Sequence, residues 1–349
     1  MSKKLTPSMF IGKTGKDIIS FGSGQPDLSP PKKVFECLPN YNDFKYGLIS
    51  GQENLRRSLA KEYKGFSKDN FVITNGASEA LDLVLRAVGS PKDNILVHKP
   101  YYYSYPELIK ANHMNPLYVE TEKGKIIKED FEKKARDAKA VIINSPCNPT
   151  GRIQNIKTLK FIEKLTKDLD IPVISDEVYK DLIYKRENYM LSGNHVVTLN
   201  SFSKTFAMCG FRVGYLFSND MDIVKNVIDI KTHSSMNTNI LGQEMAYNAL
   251  KVPKDFLEKQ RKIWEERRDL IYELMTDLGL NVWKPEGAFY VLPKIKNPKD
   301  FVWNMYKKHK VITYLGEWFG SPDRVRFSYA LKREKIKVGL SKVKEYLGK

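Results

Sequence analysis

The chain has 349 residues, enough for about two domains and a sizeable core without disulfide or metal staples. Hydrophobic residues make up 42% and charged residues 28%, a globular balance that excludes disordered, collagenous and membrane-spanning classes. Lys+Arg at 58 against Asp+Glu at 41 leaves a net charge of +17, which favours anionic ligands. The basic residues are scattered, as in Lys157, Lys160, Lys164 and Lys167, so no nucleic-acid footprint is expected. Cys37, Cys147 and Cys209 form no CxxC pair, and the histidines show no metal-ligand spacing, so no metal is expected. The start lacks an apolar h-region, and no run of about 18 apolar residues occurs. The expectation is a cytoplasmic protein with no membrane partner.

In chain order, residues 1–40 are rich in Pro and Gly and read as an arm. Phe71–Thr74 is a strand, followed by the small-residue loop Asn75-Gly76-Ala77-Ser78 and a helical pattern over Glu79–Val88. Further apolar runs bounded by turn residues fall at Asn94–Lys99, Pro116–Glu120, Ala140–Asn144, Ile171–Ser175, Val196–Asn200 and Arg212–Phe217, with a helical pattern at Ile156–Leu169 between two of them. This alternation predicts an α/β domain with a mainly parallel sheet covered on both faces. From Thr238 the texture changes to amphipathic helices at Gly242–Leu250 and Asp255–Leu278, a strand at Arg324–Tyr329 and a helix at Lys332–Leu347. The predicted division is a large domain over 41–240 and a smaller α+β domain from 1–40 and 241–349.

Ligands of open α/β sheets bind beyond the carboxyl ends of the strands, so the residues after each run are the candidates. After Val196–Asn200 comes Ser201-Phe-Ser-Lys-Thr, with Lys204 among hydroxyl residues. With so many basic residues, a surface lysine is the default reading; the functional one is a Schiff-base lysine. Arg212, eight residues on, is suited to grip a phosphate bidentately, with Ser201 and Ser203 as further donors. After Ile171–Ser175 comes Asp176-Glu-Val-Tyr179: a carboxylate at the tip of an apolar strand needs a cation, such as a protonated pyridine nitrogen. A helix N-cap and a core tyrosine are the competing readings of that pair. Two prolines and a glycine make Ser145-Pro-Cys-Asn-Pro-Thr-Gly a tight turn that presents Asn148 rigidly. The loop at Gly76 and Ala77 opens a helix, whose free amides and dipole suit an anion. An aromatic in Pro100-Tyr-Tyr-Tyr-Ser-Tyr is placed to stack on a flat ring, or to fill the core.

Together these segments resemble the pyridoxal-phosphate-dependent aminotransferases of class I/II, the aspartate aminotransferase superfamily of fold type I. Ser201-x-Ser-Lys204-x7-Arg212 with Gly210 and Gly214 is the most specific piece, and Asn148-Pro-Thr-Gly and Asp176-x-x-Tyr179 follow closely. The resemblance implies a large domain with a mainly parallel seven-stranded sheet and pyridoxal 5'-phosphate as cofactor. It implies that Lys204 bonds the cofactor and shuttles a proton, and that Asp176 pairs with the pyridinium nitrogen. Tyr179 and Asn148 would hold the ring oxygen, and Gly76, Ala77, Ser201, Ser203 and Arg212 the phosphate. Tyr102 matches the stacking aromatic. Tyr46-x4-Gly51-x3-Leu55-Arg56 is similar to the segment whose tyrosine reaches the neighbouring subunit's phosphate, which implies a homodimer with shared active sites. Phe21-Gly-Ser-Gly24-Gln-Pro-Asp is similar to the segment over the substrate, and Val325-Arg326-Phe-Ser to the one whose arginine clamps the substrate carboxylate.

The implied activity is transfer of an α-amino group from an amino acid to a 2-oxo acid, by a ping-pong exchange between pyridoxal and pyridoxamine forms. Ser78 stands where some aspartate-preferring members carry a lysine. With Phe10, Tyr101, Tyr102 and Phe319, this points to aspartate/aromatic or broad donor specificity. The alternatives are β-elimination by a C–S lyase on the same scaffold, a histidinol-phosphate aminotransferase, whose usual Asn-Glu-Asn-Pro-like motif is here Gly24-Gln-Pro-Asp, and a non-catalytic DNA-binding regulator.

Overall fold

A computed structural model describes residues 5–13, 15, 17–184 and 188–348. The chain enters through β1 (Ile19–Ser20), a 3-10 segment at Lys32–Asn40 and α1 (Glu53–Glu62). Strands and helices then alternate: β2 (Phe71–Thr74), α2 (Ala77–Val88), β3 (Asn94–His98), α3 (Ser104–Ala111) and β4 (Asn115–Val119). A small hairpin of β5 (Thr121–Glu122) and β6 (Lys125–Ile126) leads to α4 (Lys128–Ala135), β7 (Ala140–Asn144), α5 (Ile156–Asp168) and β8 (Val173–Asp176). Next come β9 (Val196–Ser201), the one-turn α6 (Phe202–Thr205) and β10 (Gly214–Ser218). Three helices follow, α7 (Met221–Ser234), α8 (Ile240–Ala249) and α9 (Lys254–Asp277). The chain ends with β11 (Tyr290–Val291), α10 (Pro298–His309), β12 (Val311–Ile312), β13 (Tyr314–Leu315), β14 (Val325–Ser328) and α11 (Arg333–Tyr346).

The central sheet has seven strands in the order β2-β10-β9-β8-β7-β3-β4. Neighbours from β9 to β4 run parallel, and β10 lies antiparallel to both β2 and β9. This is the mainly parallel α/β sheet that the alternation predicted. The strand period explains the two cores on its faces. Ile95, Val97, Ile142 and Ile174 point to one face, under Leu83 and Val84 of α2 and Val224 and Val227 of α7. Their neighbours Leu96, Val141, Ile143 and Val173 point to the other, against Leu159 and Ile162 of α5. Being covered twice, these strands read as continuous apolar runs.

A second, three-stranded antiparallel sheet has the order β11-β14-β13, and β1 pairs in parallel with β12 beside it, Ile19 opposite Val311. Phe10, Ile19 and Phe21 share a core there with Trp264, Phe289, Phe327 and Tyr329. Val34 instead packs with Leu55, Leu59, Met245 and Ala246 at the β2 edge of the large sheet. The run expected from Arg212 starts its strand only at Gly214, because Arg212 adopts a left-handed conformation, φ 57°. Helix α8 begins at Ile240, two residues before the expected start, where the Asn239 side chain accepts the Gly242 N–H at 2.5 Å.

Glu177 is the residue after β8 and is almost fully buried. Its carboxylate accepts from Ser175 Oγ at 3.0 Å and Asn188 Nδ2 at 3.1 Å. Burial outweighs these bonds and lifts its pKa from 4.5 to about 7. Between those values the folded chain keeps a proton that the unfolded chain has released, so this group lowers stability as pH rises from 4.5 to about 7. Glu177→Gln should therefore gain stability over the parent at pH 8 relative to pH 5, by on the order of 2 kcal/mol. Thermal melts of both proteins at the two pH values measure it; an equal offset at both would refute the assignment.

Candidate active site

Strands β2, β7, β8 and β9 end at the rim of one cavity of about 740 Å³. Its wall includes Gly24, Ala77, Tyr102, Asn148, Asp176, Tyr179, Ser201, Ser203, Lys204, Arg212 and Arg326.

One end of the cavity is built for an anion. Helix α2 opens at Gly76 with no side chain capping its first amides. By helix geometry these N–H groups lack intrahelical acceptors and carry the positive end of the dipole. Gly76 has φ +77°, and a Cβ there would lie 2.5 Å from Arg212 Nη2. A Cβ on Gly214 would lie 2.7 Å from Ala77 N, so glycine lets β10 approach the helix start. Arg212 donates from Nη1 to Cys209 O at 3.0 Å and from Nη2 to Asn75 O at 3.2 Å. Ser201 caps the one-turn α6, its Oγ accepting from Ser203 N at 3.1 Å, and its hydroxyl meets Ser203 Oγ at 2.9 Å. Two hydroxyls, free amides and a guanidinium thus converge at one place.

The floor carries the opposite charge. Asp176 ends β8, and its carboxylate accepts from Tyr105 OH and, at 3.2 Å, from Val178 N. Burial raises its pKa against the pull of those bonds and of the Lys204 charge. A carboxyl so placed is stabilised by a cation arriving within the cavity. Asn144 at the end of β7 holds its surroundings, with Nδ2 donating to Asp176 O at 3.0 Å and Oδ1 accepting from Asn148 N at 2.9 Å.

Lys204 extends from α6, and its Nζ donates to Gly24 O at 2.6 Å. Gly24 allows this, since a Cβ there would lie 2.3 Å from the Tyr290 hydroxyl. Tyr179 OH and Tyr290 OH are 2.8 Å apart. Burial, then the neighbouring Tyr290, pushes Tyr179 well above the usual tyrosine range, so it stays a neutral donor. Arg326, 2% exposed, donates to Asn148 Oδ1 at 2.9 Å and to Gly22 O. That bond leaves the Asn148 Nδ2 hydrogens directed elsewhere. The guanidinium lies 4.6 Å from the Tyr290 ring, 4.8 Å from Tyr314 and 4.7 Å from Phe319.

Eleven of the residues that the resemblance assigns to catalysis, cofactor or substrate therefore meet in one cavity. Gly76 sits just behind its wall against Arg212. Tyr46 does not line it and is 84% exposed. Of the aromatic residues expected near a substrate, Phe10 and Tyr102 face the cavity and Phe319 packs on Arg326. Tyr101 does not line it: its ring stacks on Tyr118 at 5.2 Å, and Tyr103 takes the wall position instead. The sequence reading missed Tyr105, Asn144, Tyr290 and Gly22. Tyr105 stood in the Tyr-rich run but gave no signal separating it from its neighbours.

The family model described as Aminotransferase class I and II matches residues 16–343. The chain is 30% identical to an aspartate aminotransferase of Bacillus subtilis (strain 168), over 99% of this chain and 97% of that protein. It superposes on an aspartate aminotransferase from Thermotoga maritima with a TM-score of 0.90 at 30% identity, covering 95% of this chain and 92% of that one. An aromatic aminotransferase from Pyrococcus horikoshii OT3 gives a TM-score of 0.90 at 30% identity, covering 96% of each chain.

The glycine at the anion site is directly testable. Gly76→Ala places a Cβ against Arg212 in a left-handed backbone position, so a loss of about 1–3 kcal/mol is expected, with phosphate-bearing ligands bound at least several-fold more weakly. Denaturant titration and pyridoxal 5'-phosphate binding measure the two effects. Unchanged affinity would remove Gly76 from the site.

Proposed function

The chain belongs to the aminotransferase class I and II family, and from that premise we propose that its donors are aspartate and aromatic amino acids. It is a pyridoxal 5'-phosphate-dependent transaminase of fold type I. We propose further that it works as a homodimer in the cytoplasm. The observation that carries the reading is the set of three cations around one carboxylate: Lys204, Arg212 and Arg326 on the wall, and Asp176 on the floor.

The residues fit the cofactor. The uncapped start of α2, the glycine cradle at 76 and 214, Ser201, Ser203 and Arg212 would hold its phosphate. Asp176 would hold the ring nitrogen, Tyr179 and Asn148 the ring oxygen, and Tyr102 the ring face. When bound, the cofactor supplies an aldehyde for the amino group and a protonated ring that draws electrons from the substrate's α-carbon. Asp176, a carboxylate that burial has left in want of a cation, would favour the charged form of the ring nitrogen. Arg326 orients the substrate by its carboxylate, because its plane is already fixed by three rings and by Asn148. Lys204 Nζ, on the cavity wall, would serve as the base that takes the proton from the substrate's α-carbon and holds it for return. Phe10, Tyr102 and Tyr103 line the cavity and would supply an aromatic surface for an aromatic donor.

The donor classes rest on the names of the relatives, aspartate and aromatic aminotransferases, and on that aromatic wall. None of the relatives named above is a lyase or a histidinol-phosphate enzyme, and the regulator reading has no support. Dimerisation is supported by the exposed apolar run Phe44, Tyr46 and Leu48, with Phe35, Leu38 and Met236 also exposed. A second copy would cover this run and take Tyr46 to its own phosphate site. No helix of the described residues is long and apolar enough to cross a membrane. We read 41–240 as the cofactor domain and 1–40 with 241–349 as the small domain. Residues 32–40 and α8 nonetheless pack on the large sheet's own core.

Lys204→Ala should abolish the visible absorbance of the lysine-bound cofactor and slow transamination by about 10³-fold or more. Near-normal turnover would sink the assignment. Donor range is read by mixing the holoenzyme with each of the twenty amino acids and following conversion to the pyridoxamine form. Aspartate and the aromatic amino acids should convert it fastest. Release of pyruvate and ammonia without a 2-oxo acid would establish elimination instead.

A further inference from the structure

We propose that Glu79 and Lys231, neither of which lines the cavity, act together as positioning residues that set how tightly the cofactor's phosphate is held. Glu79 is the third residue of α2, and its carboxylate turns back to the preceding loop. Oε2 accepts from Asn75 N at 2.6 Å, and Oε1 accepts from Asn75 Nδ2 at 3.2 Å. Asn75 O in turn accepts from Arg212 Nη2 at 3.2 Å. One carboxylate thus fixes the turn that presents the free amides and the carbonyl that steers the guanidinium.

That arrangement carries a conflict. A negative charge in the first turn of a helix competes with any other anion for the positive end of the dipole, and repels it. Glu79 is charged: burial would raise its pKa, but hydrogen bonds from Ser235, Asn75 and Lys231 outweigh burial and hold it low. Lys231 resolves the conflict from behind. It projects from α7 with its side chain wholly out of solvent, Nζ 2.9 Å from Glu79 Oε2 and 3.1 Å from Ser235 Oγ. The pair is neutral as a unit, so Glu79 keeps its grip on the turn without a net charge facing the phosphate. A buried lysine on α7 has no other evident use, since replacing a buried ion pair by apolar residues is often neutral or stabilising.

This inference rests on the reading that the start of α2 holds the phosphate, and the test separates the two. Apo-protein is titrated with pyridoxal 5'-phosphate and with pyridoxal, which lacks the phosphate, and the ratio of the two dissociation constants is the readout. If the phosphate reading is wrong, the parent protein itself shows no preference for the phosphorylated ligand. If it is right, Lys231→Met should cut the preference about tenfold or more, by exposing the phosphate to an unbalanced carboxylate, while pyridoxal affinity stays within about twofold. The double variant Glu79→Gln/Lys231→Met should recover the parent's ratio within about threefold, because glutamine keeps an acceptor for Asn75 without the charge. Should Lys231→Met fail to fold, Glu79→Gln alone should show a higher ratio than the double variant, through the lysine left unbalanced. Equal losses for both ligands, no recovery in the double variant, or equal ratios in Glu79→Gln and the double variant would overturn the proposal.

Discussion

A guanidinium with almost no access to water joins three distant parts of this chain. Arg326 stands on β14, donates to the carbonyl of Gly22 near the other end of the chain, and donates to Asn148 in the turn after β7. Burying this charge without the acceptors that Gly22 and Asn148 give its two terminal nitrogens would be costly, so the three segments come together with the arginine. The rings of Tyr290, Tyr314 and Phe319 complete its enclosure and set its plane. The N-terminal segment, the large sheet and the small sheet are thereby held around one volume. That volume is the candidate active-site cavity.

Within it the chemistry is arranged by charge. Parallel strands end on one side of the sheet, so Asn144, Asp176 and Ser201 arrive at the same rim although they are far apart in sequence. The antiparallel β10 adds Arg212 just before its first residue and Gly214 at it. Anion-seeking groups gather at the start of α2 and the acid lies on the floor, so a zwitterionic phosphorylated ring has one orientation that satisfies both. The net charge of +17 is mostly unrelated to this. Lysines such as Lys259 and Lys299 sit in exposed ion pairs, which contribute little to stability. The functional share of the excess is local to the cavity.

Much of this was legible along the chain because the determinants are local. Asp176-x-x-Tyr179 and Ser201-x-Ser-Lys204 each lie on one strand end and the turn after it, where side-chain spacing follows directly from backbone geometry. Asn148 was legible because two prolines and a glycine leave its turn little freedom. Tyr101 and Tyr103 were misjudged for a related reason: in a run of three tyrosines, a rotation of one residue about the chain decides which ring faces the cavity. Tyr105 was invisible because its role is a bond to Asp176, seventy-one residues away. The pairing of Glu79 with Lys231 spans 152 residues, and no pattern in either helix announces it.

The amino-acid order alone determined the sheet's strands and the switch to a helical second half, because apolar periodicity and turn chemistry act over a few residues; the lysine, the carboxylate and the loop at Gly76 stood out as candidates through their resemblance to family motifs. Only the tertiary structure decided which groups meet. It set Lys204 on the carbonyl of Gly24, Tyr179 on Tyr290, Arg326 between Gly22 and Asn148, and Tyr46 out on the surface, away from the cavity of its own chain. Those contacts depend on how two sheets and their connecting helices pack, and packing is a property of all the buried surfaces at once rather than of any one segment.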